Sequence, residues 1–252
     1  EHEGTRAAAA EVLAQQYATG GEARREAQAL SVMLEQTKRR AERLKLYGRL
    51  AEVHEEKLNA HGTALDIALP AVREYPDELA LWDRADGLAT IAGRPTDLAE
   101  TFREVLRAGV PADVEGELCE RAASLHEDKL GDPIGATPYL ERVLAQDPSN
   151  ERAFLRLKDI LTAAERWGEL ESLYDRASAA TDDPARRAEM LVEVALICEE
   201  IIEDPSKATR YYERILEIDS HHELATRALD RLYARQERDE DLARLLAQRL
   251  QT

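Results

Sequence analysis

The residues best suited to chemistry are six histidines, two cysteines and a large excess of carboxylates. His54-Glu55-Glu56-Lys57-Leu58 has the outline of a helical zinc segment, in which two histidines four residues apart grip the metal and a glutamate activates water. Leu58 stands where the second histidine would be, so the chelate is missing. His126 and Cys198 fill the position of His54 in later stretches of the chain, 72 residues apart. His221 and His222 are adjacent, and neighbouring side chains on a helix point about 100° apart, so they do not converge on one ion. His61 falls at a turn. Glu52, Glu55 and Glu56 share one helical stretch and Asp239, Glu240 and Asp241 open another. Catalytic carboxylates need a cavity and unequal environments, whereas first-turn acids are accounted for by the helix terminus. The serines have no His-Asp partner set, and no glycine-rich phosphate loop follows a strand. Cys119 and Cys198 lie 79 residues apart within helical patterns and are expected to be reduced packing residues. No catalytic, cofactor-binding or metal residue is assigned, no cofactor is expected, and the chain is predicted not to be an enzyme. A hydrolase using dispersed carboxylates or histidines is the enzymatic alternative.

What positions these residues is a 72-residue repeat. Pro76, Pro148 and Ser220 recur at one place, Ala64, Ala136 and Ala208 at a second, and Arg94, Arg166 and Arg238 at a third. Leu98, Leu170 and Leu242 follow four residues after the arginines. Self-similarity at a fixed period predicts units that stack on their neighbours rather than closing around one catalytic core. The predicted organisation is a half unit, 1–39, followed by units 40–111, 112–183 and 184–252.

Each unit reads as two helical hairpins. In the middle unit the helices are expected over about 113–129, 133–145, 149–163 and 168–179, with Leu118, Ala122 and Leu125 on the first and Ala136, Tyr139, Leu140 and Val143 on the second at helical spacing. Asp132-Pro133, Asp183-Pro184 and Asp204-Pro205 pair a capping carboxylate with a proline whose missing N–H costs nothing in a first turn. Asp147-Pro148 ends a helix, because the residue before proline is biased away from helical geometry. The small Ala64, Ala136 and Ala208 fit close helix crossings. In the half unit, residues 6–18 and 22–36 are expected to be helical around a Thr19-Gly20-Gly21 turn, with a break over 36–40. Trp82 and Phe154, which align with Thr226, are expected in the hairpin cores, and Trp167 beside a turn.

Only 5% of residues are aromatic, and no alternating run of β-branched residues predicts a sheet. The net charge of −17 disfavours nucleic acid, whose backbone calls for clustered Lys and Arg, and an anionic membrane. Residues 112–183 carry eight Lys and Arg against seventeen Asp and Glu, a net −9 that suits a basic partner segment. The sequence has no apolar run of about 18 residues, so no membrane insertion is expected within this segment. It begins at Glu1 without methionine, as expected of a processed chain or an excised piece of a larger repeat protein. The cytoplasm is the favoured compartment.

Phe154, Leu157, Leu161, Leu170, Tyr174 and Ala177, continued by Leu229, Tyr233, Leu242 and Leu246, resemble the interhelix packing set of the tetratricopeptide repeat family. The resemblance departs at Glu165 and Glu237, which replace the turn glycine kept as Gly93, and at Asp86, Lys158 and Asp230, where the family has a small residue. About two extra residues also separate the helices of the first hairpins, near Lys129-Leu130-Gly131-Asp132 and Ile201-Ile202-Glu203-Asp204. It implies an all-α, right-handed α–α superhelix of about seven hairpins, a solenoid whose first helices line a concave face. On that implication Glu55, Glu120, Glu127, Arg152, Asp159, Glu199 and Arg231 form a contact strip for a protein or peptide. The second reading is an architectural segment that self-associates through an apolar stripe of Leu242, Leu245, Leu246 and Leu250.

Overall fold

The computed structural model describes residues 2–249, with side chains described for 9–247. Among these residues every regular element is a helix, and the helices form two compact units, 1–132 and 133–252. The first unit contains α1 (His2–Gly20), α2 (Ala23–Gln36), α3 (Arg40–Glu52), α4 (His61–Glu74), α5 (Leu79–Ile91), α6 (Pro95–Ala108) and α7 (Ala112–Ser124). The second contains α8 (Pro133–Gln146), α9 (Glu151–Ala163), α10 (Trp167–Ala180), α11 (Pro184–Leu196), α12 (Pro205–Ile218), α13 (Glu223–Arg235) and α14 (Asp239–Arg249). Within each unit consecutive helices pack together across short turns, as helical hairpins require. The break predicted after α2 is Thr37–Arg39, whose Thr37 and Arg39 are extended. α1 begins at His2, four residues before the expected start.

The repeat is visible in the cores. Ala64, Ala136 and Ala208 are fully buried, consistent with a size limit at helix crossings. Trp82 stacks on Phe102 with centroids 4.2 Å apart, and its indole N–H donates to the Pro76 carbonyl at 3.0 Å. The equivalent rings one period later, Phe154 and Tyr174, meet edge to face at 5.5 Å. Trp167 is half-buried. Leu245 is buried and Leu246 exposed on α14; Leu250, expected on the same stripe, lies outside the described residues.

Helix ends repeat as well. Residues 21, 93, 165 and 237 all have positive φ, between 54° and 72°. The next residue donates its N–H back five positions: Glu22 to Tyr17, Arg94 to Ala89, Arg166 to Leu161 and Arg238 to Tyr233, at 2.8–2.9 Å. This is the left-handed C-terminal closure that glycine makes cheaply, kept at Glu165 and Glu237 despite their side chains. The recurring arginines then ion-pair with first-turn acids three residues on, Arg94 with Asp97, Arg166 with Glu169 and Arg238 with Asp241.

The extra residues in the first hairpins are absorbed inside helices. α3, α7 and α11 each run on into a π-helical turn, Val53–Lys57, Leu125–Leu130 and Ile197–Ile201, starting 72 residues apart. Each ends at a left-handed residue, Asn59, Gly131 or Glu203, and a wide closing bond follows: Ala60 to His54, Asp132 to His126 and Asp204 to Cys198, at 2.7–3.0 Å. Asp183 and Asp204 cap α11 and α12 as expected, and Asn150 and His222 cap α9 and α13.

Candidate functional site

The three π turns carry His-Glu-Glu-Lys, His-Glu-Asp-Lys and Cys-Glu-Glu-Ile, so Glu55, Glu127 and Glu199 of the predicted strip are one repeat position. Widening a helix by one residue re-aims the side chains beyond it. Glu55 faces the next first helix and accepts from Arg84 of α5 at 2.9 Å. Glu199 pairs in the same way with Arg231 of α13 and accepts from the Tyr212 hydroxyl at 3.3 Å. Two of the predicted strip residues, Glu199 and Arg231, are therefore brought together as partners. Arg152 and Asp159 lie exposed on α9, while Glu120 and Glu127 are half-buried on α7 and its π turn.

Further ion pairs tie neighbouring first helices. In the first unit Asp83 and Asp86 of α5 receive Arg121 and Lys129 from α7 and its π turn, both at 2.6 Å. In the second unit the polarity reverses at equivalent positions: Lys158 of α9 meets Glu193 of α11 at 2.6 Å, with the Tyr174 hydroxyl donating to the same carboxylate at 2.5 Å. Burial pushes the Glu193 carboxyl up, but the hydrogen bonds from Lys158 and Tyr174 outweigh it and hold it below the ordinary value. Burial, aided by Glu193, pushes the Tyr174 phenol up to about 12. Asp86 and Lys158, which stand where the family places a small residue, are thus half of these inter-hairpin pairs.

Sequence reasoning missed the next position along. Glu56, Asp128 and Glu200 recur at the period, are exposed, and have no hydrogen-bond or ion-pair partner among the described residues. Their alignment was the available signal. It also missed Glu26, which stands where other units have Leu98, Leu170 and Leu242. Glu26 is 1% exposed on α2 and accepts from Arg49 at 3.0 Å and Lys57 at 2.7 Å.

Burial lowers the His54 imidazole, and the His54 and His61 Nδ1 atoms are buried without a partner. His126 Nδ1 lies 3.3 Å from Asp132. Cys198 is fully buried, and burial pushes its thiol up to about 11, which keeps it protonated. Among the described residues no three His, Cys, Asp or Glu side chains are grouped to hold a metal ion, and no helix is long and apolar enough to cross a membrane.

No family model and no curated protein matches the chain. Among solved structures it is similar to YrrB, described as a TPR protein with an unusual peptide-binding site, at 21% identity over 80% of this chain and 98% of that one, with a TM-score of 0.37. It is also similar to a tetratricopeptide repeat protein from Parabacteroides merdae, at 11% identity over 97% and 92% of the two chains and a TM-score of 0.37. A third is the TPR2AB domain of yeast Sti1 in complex with pHSP90, at 12% identity over 92% and 98% and a TM-score of 0.29. At these scores the fold assignment rests on the chain's own hairpins, recurring helix closures and ring pairs: it is an all-α, tetratricopeptide-like helical repeat.

Proposed function

We propose that the chain is a noncatalytic protein-interaction module, built from the half unit 1–39 and the units 40–111, 112–183 and 184–252, whose first helices receive a protein segment bearing Lys and Arg. The contact strip is Glu55, Glu120, Glu127, Arg152, Asp159, Glu199 and Arg231. The observation that carries the reading is the recurring π turn, which presents an exposed acid without an ion-pair partner at Glu56, Asp128 and Glu200, beside Glu55 and Glu199, which are paired with Arg84 and Arg231. Basic side chains would meet carboxylates at Glu56, Asp128 and Glu200 that no internal cation neutralises, and the negative net charge would speed their approach. Backbone amide shifts during titration with a Lys/Arg-rich peptide test this. The reading expects saturable shifts in the π turns and in α9 and α13; shifts that fade uniformly with salt and never saturate would refute it.

A second reading, self-association, is favoured by the apolar residues left in water on α1 and α14: Val12 is 68% exposed, and Leu13 and Leu246 are exposed too. Sedimentation over a concentration series separates the two, since a monomer throughout contradicts self-association.

A further inference from the structure

We propose that the groove between α8 and α10 is a second docking site, one that takes the apolar anchor of a basic amphipathic protein helix. A cavity of about 560 Å³ opens there, lined by Leu144, Ala145, Pro148, Leu173, Ala177 and Ala179. Its size falls in the range of formed binding pockets, and its walls are predominantly aliphatic.

The repeat shows how the cavity arises. One period earlier, Arg73 stands in place of Ala145, Val105 in place of Ala177 and Arg107 in place of Ala179. There Arg73 of α4 reaches Glu104 of α6 at 2.9 Å, an ion pair strung between the two second helices. In the second unit the residue equivalent to Glu104 is Arg176, which turns instead to Glu141 at 3.4 Å. Ala145 offers no side chain to span the helices, so the apolar floor stays open. Small residues at Ala145, Ala177 and Ala179 also let a partner backbone approach closely.

Charge selects the occupant. The cavity is lined by the last turns of both α8 and α10, whose carbonyl ends carry partial negative charge, and Asp147 follows α8 directly. Glu141 and Arg176 neutralise each other at the rim. A helix with large apolar residues one turn apart and flanking lysines matches both features. The site rests on the reading of the chain as an interaction module, but it lies on second helices and uses none of the first-helix strip.

The test is fluorescence anisotropy with a labelled helix of leucine and lysine at i, i+3, i+4, i+7 spacing, and with versions carrying Leu→Ala or Lys→Glu. It compares the parent with the double variant A145R/R176E, which recreates the arrangement of Arg73 and Glu104, with Ala179→Arg at an exposed position, and with E199K/R231E on the first-helix face. The site predicts saturable binding to the parent, weakened by roughly tenfold or more in both groove variants and in both altered peptides, and retained in E199K/R231E. Parent-like affinity in A145R/R176E and Ala179→Arg would overturn it, as would no saturable binding to the parent. Loss confined to E199K/R231E would overturn the groove while leaving the first-helix reading standing.

Discussion

Replacing Glu26 with leucine tests whether the repeat or the ion pair governs that core position. Glu26 sits where Leu98 and Leu170 are fully buried, so leucine restores the residue that the fold uses elsewhere. Its carboxylate accepts from Arg49 and Lys57, and hydrogen bonds to a buried charge are worth about 1.5–3 kcal/mol each. The two cations are 39% and 44% exposed, so water screens them and the pair together is worth about 2–3 kcal/mol. Leucine forfeits that, but it removes the desolvation of a carboxylate and buries an aliphatic side chain worth about 1.5–3 kcal/mol. Arg49 and Lys57 can turn to solvent, so no buried charge is orphaned. Glu26→Leu should therefore fall within about 1 kcal/mol of the parent, while Glu26→Gln, which keeps a buried polar group with weaker bonds, should lose about 2 kcal/mol. Burial pushes the Glu26 carboxyl up, but Lys57 and Arg49 hold it below its ordinary 4.5. Its contribution is thus complete above pH 4.5 and lost as pH falls through the lower folded value, so acid should shift the comparison toward leucine. Urea melts at neutral and acid pH, with amide exchange in α2 locating the change, read the order. A leucine variant less stable than the glutamine variant at neutral pH would refute the reasoning.

Three further outcomes follow from the packing and the turns. Ala136→Leu overfills a fully buried helix crossing and should cost about 1–3 kcal/mol in a denaturant melt, whereas the half-buried Glu127→Ala should cost less than about 1 kcal/mol; equal stability of both would contradict the register around Ala136. Glu165→Gly should stabilise by about 0.5–1 kcal/mol by relieving a left-handed side chain, and Gly93→Ala, where nothing lies within 4 Å of an added Cβ, should destabilise by a similar amount through φ alone. The Arg43 guanidinium beside Glu74, at 2.5 and 2.6 Å, holds its carboxyl down to about 2 against burial, with Tyr75 and Tyr47 assisting. The folded value is depressed, so this stability is present above pH 4.5 and lost as pH falls toward 2. After screening of a carboxylate about one third exposed it amounts to about 1–2 kcal/mol, and Glu74→Gln should flatten that part of the acid melt.

The fold was legible where a residue type has a single physical use. Asp183-Pro184 and Asp204-Pro205 announced helix starts, and the recurring alanines announced buried crossings. The π turns were not legible, because an inserted residue looks alike in sequence whether it lengthens a loop or widens a helix. Of the three left-handed closures only Gly131 is written in a residue that favours it; Asn59 is weakly informative, and Glu203 points the wrong way. The sequence offers the strip only as polar positions that would face the groove of the family the chain resembles. What sequence could not tell is which acids are already neutralised: Arg84 and Arg231 lie 29 and 32 residues from Glu55 and Glu199, and only the fold reveals that they satisfy those carboxylates. The unpaired neighbours at Glu56, Asp128 and Glu200 are the more available contacts for that reason.

The central claim is that a basic protein segment binds the first-helix acids. Isothermal titration of a Lys/Arg-rich peptide against the parent and against a variant carrying Glu56→Lys, Asp128→Lys and Glu200→Lys tests it most directly. Removing three unpaired carboxylates breaks no internal ion pair, so the variant should fold as the parent does, and it should bind at least about tenfold more weakly with a shallower salt dependence. Unchanged affinity and salt dependence in a folded variant would contradict the account.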